Sequence, residues 1–146
     1  MLRKVPRLGH HGPMTRPEMT VGAVTIAAAR PRELAHFYAR LLGWEVSAEE
    51  PARPGHPPED GWAQIRPPEG VRGPTLNFEF EQHYRRPVWP SVEDRQTASQ
   101  HLDIGVADLE AAVSWAVGQG AVLADHQPQE GVRVLLDPDG HPFCLC

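Results

Sequence analysis

The feature that most narrows the folds open to this chain is a strand that runs straight into a capped helix, and it occurs twice. In the second copy Leu102, Ile104 and Val106 alternate with His101, Asp103 and Gly105. One face is therefore apolar, while the other carries an imidazole and a carboxylate. Asp108 offers a side-chain oxygen for a helix N-terminus, and Leu109, Ala112, Val113, Ala116 and Val117 recur at helical spacing as one apolar stripe. The first copy has Val24 and Ile26 alternating with Ala23, Thr25 and Ala27. Pro31 then stands at a first helical position, followed by the stripe Leu34, Phe37, Tyr38, Leu41 and Leu42. Gly43 and Gly120, 77 residues apart, close the two helices, and a short apolar strand follows each. Two copies are too few for a solenoid, so the repeat predicts a paired, pseudo-twofold domain.

The rest of the chain is read around that pair. The spacing predicts strands over residues 20–28, 44–47, 62–66 and 75–81 of the first half, with a helix over 31–42. In the second half it predicts strands over 101–106, 121–125, 131–136 and 142–146, with a helix over 109–118. The order is βαβββ twice. In the strand over 75–81, Leu76, Phe78 and Phe80 face one way and Asn77, Glu79 and Glu81 the other, which predicts core on one side and cavity or solvent on the other. Residues 49–61 hold four prolines and are expected as a loop, a candidate lid. Asp137-Pro138-Asp139-Gly140 reads as a turn ahead of a calcium loop, and His141 as a strand-entry residue. The expected organisation is a flexible basic tail over residues 1–19 and one domain over 20–146. That domain has modules at 20–81 and 100–146 joined by an arm, 82–99, that is rich in large side chains. His10 and His11 fall in the tail and are expected to be solvated.

A formal charge of −5 argues against a nucleic-acid surface, because phosphate binding needs clustered cations. No run approaches the roughly 20 apolar residues of a membrane span, and the first residues lack the apolar core of a signal peptide. The expectation is a soluble, cytoplasmic protein without nucleic-acid or membrane partners. Cys144 and Cys146, the only cysteines, lie two apart on one strand face, where an extended backbone disfavours a mutual bridge.

The doubled unit, with FYARLLGWEV closing the first helix, HLDIGVADLEAA opening the second half and LLDPDGHPFCL near the end, resembles the vicinal oxygen chelate superfamily of glyoxalase, bleomycin-resistance-like and extradiol dioxygenase proteins. The resemblance implies an α+β fold of paired βαβββ modules forming a half-barrel cavity, a homodimer and a small-molecule ligand. It also implies a divalent metal (zinc, iron, manganese or nickel) held by residues on the first and last strands of each half. Carried over by position, those residues are Ala23, Glu79, His101 and Cys144. Alanine has no donor and a cysteine stands where glutamate is usual, so the set departs from the family pattern at two of four places.

Two functions follow as expectations. The leading one is a protein that binds a small organic molecule in a cavity lined by Glu79, His101 and Cys144, with Asn77, Asp103 and Trp89 as further contacts. In it His101 and Glu79 hold each other as a buried pair, or act as acid and base. The competing one is a metal-dependent lyase or dioxygenase acting on vicinal oxygens through His101 and Glu79.

Overall fold

A computed structural model describes residues 15–146; the expectations for His10, His11 and most of the basic tail fall outside the described residues. The elements run β1 (Ala23–Ala28), α1 (Pro31–Leu42), β2 (Glu45–Glu50), β3 (Trp62–Arg66), β4 (Thr75–Phe80), β5 (Asp103–Ile104), α2 (Leu109–Gln119), β6 (Val122–Leu123), β7 (Arg133–Leu136) and β8 (Pro142–Leu145). This is βαβββ twice. Each unit makes its own four-stranded sheet, ordered β1-β4-β3-β2 and β5-β8-β7-β6, with one parallel pair and two antiparallel pairs.

Local chemistry sets the boundaries. Pro31 opens α1 where a missing N–H costs nothing, and the Gly43 N–H closes it on the Ala39 carbonyl. Asp108 caps α2, its Oδ1 accepting from the Ala111 N–H at 3.0 Å. β1 begins at Ala23 rather than residue 20, because its partner β4 begins only at Thr75, directly after Pro74, which has no N–H for a ladder. β2 runs three residues further than predicted, to Glu50, and stops at Pro51. The second sheet is shorter than its sequence pattern: β5 and β6 hold two residues each. The α2 stripe is also incomplete. Only Ala116 is fully buried, and Val117 is 48% exposed.

The helices cover one face of the sheets, and the core lies between. Phe37, Tyr38, Phe78 and Phe143 form an aromatic cluster spanning both units, with Tyr38 stacked on Phe78 at 5.6 Å and edge-on to Phe143 at 6.0 Å. Leu102, Ile104 and Val106 pack against this core as their alternation predicts, leaving His101 and Asp103 on the opposite face.

A polar knot fastens the second unit to the first. The Asp137 carboxylate, 1% exposed, accepts from Tyr38 Oη (2.8 Å), from His141 Nδ1 (2.9 Å) and from the backbone N–H groups of Asp139 and His141. The far nitrogen of His141, Nε2, donates to the Ala27 carbonyl of β1 at 2.9 Å. Tyr84, from the arm, donates to the Asp139 carbonyl at 2.7 Å, and the Arg30 N–H donates to Asp139 Oδ2 at 3.0 Å. Both His141 ring nitrogens therefore meet acceptors, an arrangement that suits the protonated ring. Burial opposes that charge, but the Asp137 carboxylate and the Ala27 carbonyl outweigh it, and the His141 pKa is raised. The Asp137–Gly140 turn is thus a turn, as expected; His141 is a buried anchor rather than a simple strand-entry residue.

Candidate functional site

With the helices on one side, chemistry is left to the other face of each sheet. On the second sheet Phe143 and Leu145 point into the core, so Cys144 points away, and the β5–β8 register sets it opposite Asp103. The Cys144 N–H donates to the Leu102 carbonyl at 2.8 Å, which carries the ladder one residue beyond β5 towards His101. His101 and Asp103, two apart on an extended segment, share that face, and His101 Nε2 lies 3.4 Å from Asp103 Oδ1. One ligand atom from each of His101, Asp103 and Cys144 lies within 4.8 Å of the others. Burial, then the neighbouring Asp103 carboxylate, push the Cys144 thiol pKa up, so the sulfur keeps its proton in the free protein.

These three side chains line a cavity of about 450 Å³. Trp89 of the arm forms an aromatic wall, Val132 and Val134 an apolar floor, and Gln129 an amide rim. The Trp89 indole N–H donates to the His126 carbonyl at 3.2 Å, which fixes the ring. The combination of a flat aromatic, an apolar floor and a polar cluster at one end suits a small organic molecule with a polar head.

Glu79 and Asn77 lie elsewhere, on the first sheet. Glu79 lines a separate cavity of about 280 Å³ with Trp62, Arg53 and Asp60, and Asn77 Oδ1 accepts from Gln64 Nε2 at 2.8 Å. The expected His101–Glu79 pair is not formed; the ion-pair contact of His101 among the described residues is Asp103. Glu79, on β4 of the first sheet, and His101, beside β5 of the second, line separate cavities. Ala23 is exposed on β1 and offers no donor. The family's four-position metal set therefore does not fit this chain.

Two features escaped the sequence reading. The Asp137–His141 knot is one. The other is a clamp inside the proline-rich loop, where Asp60, 2% exposed, accepts from Arg53 Nε (2.8 Å), Arg53 Nη2 (3.0 Å) and the Arg53 backbone N–H (3.1 Å). The Arg53 guanidinium holds the Asp60 carboxyl well below the usual carboxylate range. A third and larger cavity, about 840 Å³, runs along α1; Arg30 is paired there with Glu33 and His36 with Glu49, while Arg32 and Arg40 donate to the carbonyls of Pro58 and Gln119.

Paired βαβββ modules with their helices on one side and a cavity on the open sheet face define the vicinal oxygen chelate architecture. More narrowly, residues 23–146 match the glyoxalase-like domain, and the chain belongs to that family. Among solved structures it is similar to a glyoxalase family protein from Enterococcus faecalis (22% identity, TM-score 0.60, 86% of this chain and 95% of that one). It is also similar to an antibiotic binding protein from a Streptomyces (16%, 0.53, 90% and 97%). A third is a fosfomycin resistance protein from Listeria monocytogenes, complexed with Mn(II) and a dihydroxypropylphosphonic acid (9%, 0.59, 89% and 90%). At these identities the likeness is one of fold. No curated protein matches the sequence. Among the described residues no helix is long and apolar enough to cross a membrane.

Proposed function

We propose that this glyoxalase-like domain binds a small organic molecule in the cavity of its second module, in the cytoplasm and as a homodimer. The observation that carries the reading is the cavity itself: a Trp89 wall and a valine floor with His101, Asp103 and Cys144 gathered at one end. The antibiotic binding neighbour supports it by showing the same scaffold serving as a binding protein. The dimer is supported by exposed apolar side chains on α2 and β6, among them Trp115 (53% exposed) and Val122 (56%), a type of patch that marks association surfaces. Light scattering on the full chain tests it.

Binding is tested by a thermal-shift screen of small organic molecules, antibiotics included, in the presence of a chelator, with each hit measured by calorimetry. Trp89→Ala and His101→Ala should weaken a hit at least about tenfold, the loss of a central aromatic or polar contact, while Glu79→Gln leaves it unchanged. Hits that ignore Trp89 and His101 but respond to Glu79 overturn the assignment. A catalytic reading, a lyase or dioxygenase acting on vicinal oxygens, is favoured by one observation: an imidazole, a carboxylate and a thiol share one cavity. Turnover of such substrates by the metal-loaded protein, abolished in His101→Ala, is its test.

A further inference from the structure

Resting on the small-molecule reading above, we propose that the cavity of the second module selects an organic cation, an amine carried on a flat aromatic body, and turns anions away. The charge of its walls carries the inference. No lysine or arginine lines the cavity, and Asp103 is its only carboxylate. The Asp103 side chain is 66% exposed, and its ion-pair contact among the described residues is the His101 ring at 3.4 Å, not a guanidinium. Arg133 is the one cation on β7. The alternation that turns Val132 and Val134 to the cavity turns Arg133 to the other face, and its Nη1 is spent on the Val132 carbonyl at 2.9 Å.

An anion needs donors, and the walls have few left. The Cys144 and Cys146 N–H groups are spent on the Leu102 (2.8 Å) and Ile104 (3.0 Å) carbonyls, and the Val134 N–H on Gln127 Oε1 (2.8 Å). Pro128 and Pro142, also in the walls, have no N–H to give. The Gln129 amide and the His101 ring remain, and Asp103 competes for the second of these. A carboxylate or phosphonate would therefore give up its water beside a like charge, with no cradle to replace that water. An ammonium group meets the reverse. Asp103 attracts it, and Trp89 adds a π-system: the indole N–H already donates to the His126 carbonyl, so what the side chain still offers a ligand is its ring. Water screens a carboxylate as exposed as Asp103, so its pull is modest. Apolar contact with Trp89, Val132 and Val134 supplies the rest of the affinity, which is why the cation must ride on an aromatic body.

The test is calorimetry on the full chain, with chelator present, using three indoles that share one ring and a two-carbon arm: tryptamine, 3-ethylindole and indole-3-propionate. Tryptamine should bind about threefold to fivefold more tightly than 3-ethylindole, the effect of a solvent-screened ion pair. It should bind at least about tenfold more tightly than indole-3-propionate, where attraction gives way to repulsion. Added sodium chloride should erode the advantage of tryptamine and leave 3-ethylindole nearly unchanged. Asp103→Asn, nearly isosteric, should bring the three affinities together, and Asp103→Lys should make indole-3-propionate the tightest of the three. Circular dichroism checks that each variant folds. The proposal is overturned if 3-ethylindole or indole-3-propionate binds as tightly as tryptamine, or if the tryptamine preference survives salt or Asp103→Asn. Failure of all three indoles, while other screening hits still depend on Trp89 and His101, removes the cation preference and leaves the cavity reading standing. Absence of any hit at all removes both.

Discussion

Replacing Asp137 with asparagine should cost more stability than any other single-atom change in this fold. The substitution keeps the side-chain shape but turns one carboxylate oxygen into an NH₂ group. In the protein one oxygen accepts from Tyr38 Oη and His141 Nδ1, the other from the Asp139 and His141 backbone N–H groups. Turned one way the amide sets its NH₂ against two backbone N–H groups; turned the other way it faces Tyr38 Oη and His141 Nδ1, and the ring must give up its Nδ1 proton to accept from it. The imidazole, 6% exposed and with its pKa raised by the carboxylate against the cost of burial, loses its counter-charge. Removing one partner of a buried pair costs about 3–5 kcal/mol. For a domain of this size that is roughly a 10 °C fall in melting temperature. Tyr38→Phe, which removes one donor and leaves Asp137 with the rest, should cost only about 1–2 kcal/mol.

The pH dependence supplies a second arm with a definite sign. His141 has its folded pKa raised above the unfolded value, so its contribution is fully present below about pH 6.5 and is lost as pH rises through the folded value. The melting-temperature gap between the native protein and His141→Asn should therefore narrow as pH is raised from about 6 towards 9. Thermal and urea unfolding followed by circular dichroism read both arms. A loss below about 1 kcal/mol for Asp137→Asn, or a gap that widens with pH, refutes the charged-knot account.

Three further predictions concern other parts of the fold. Gly61→Ala should cost about 2 kcal/mol or more, because Gly61 adopts φ +121° and an added Cβ would collide with the Glu50 carbonyl; urea unfolding measures it. Asp108→Ala should cost about 1 kcal/mol through loss of the α2 cap, with no effect on ligand affinity; urea unfolding and calorimetry measure the two. Arg53→Ala should free the loop between β2 and β3, raising amide exchange over residues 51–60. In the native protein the depressed Asp60 pKa makes the clamp's stabilisation present above the normal carboxylate range and lost as pH falls below it, so the exchange difference should close in acid.

What the sequence conveyed was local and periodic. Pro31, Gly43, Asp108 and Gly120 act through neighbours within one helical turn, and both helices stand where those residues place them. Alternation likewise put Leu102 and Ile104 towards the core and His101 and Asp103 away from it. Strand ends were less legible, because β1 and β4 limit each other across about 50 residues and no local signal carries that. Glu79 and His101 share a polar-face pattern, yet the pattern says nothing about which sheet each face belongs to. The knot was hidden for the same reason. Asp-Pro-Asp-Gly-His reads as a turn on any strand pair, while its partners Tyr38 and Ala27 lie 99 and 114 positions away. The loop clamp was nearer to hand, since an arginine and an aspartate seven apart in a proline-rich segment already carry complementary charge.

The central claim is that the working surface is the open face of the second sheet. Backbone amide chemical shifts recorded while the full chain is titrated with a screening hit test it most directly. The account predicts that residues 101–103, 129–134 and 143–146, with the Trp89 indole N–H, shift together and saturably while Asn77, Glu79 and Trp62 stay still. Shifts centred on Trp62, Glu79 and the Arg53–Asp60 clamp, with the His101 strand silent, would contradict it.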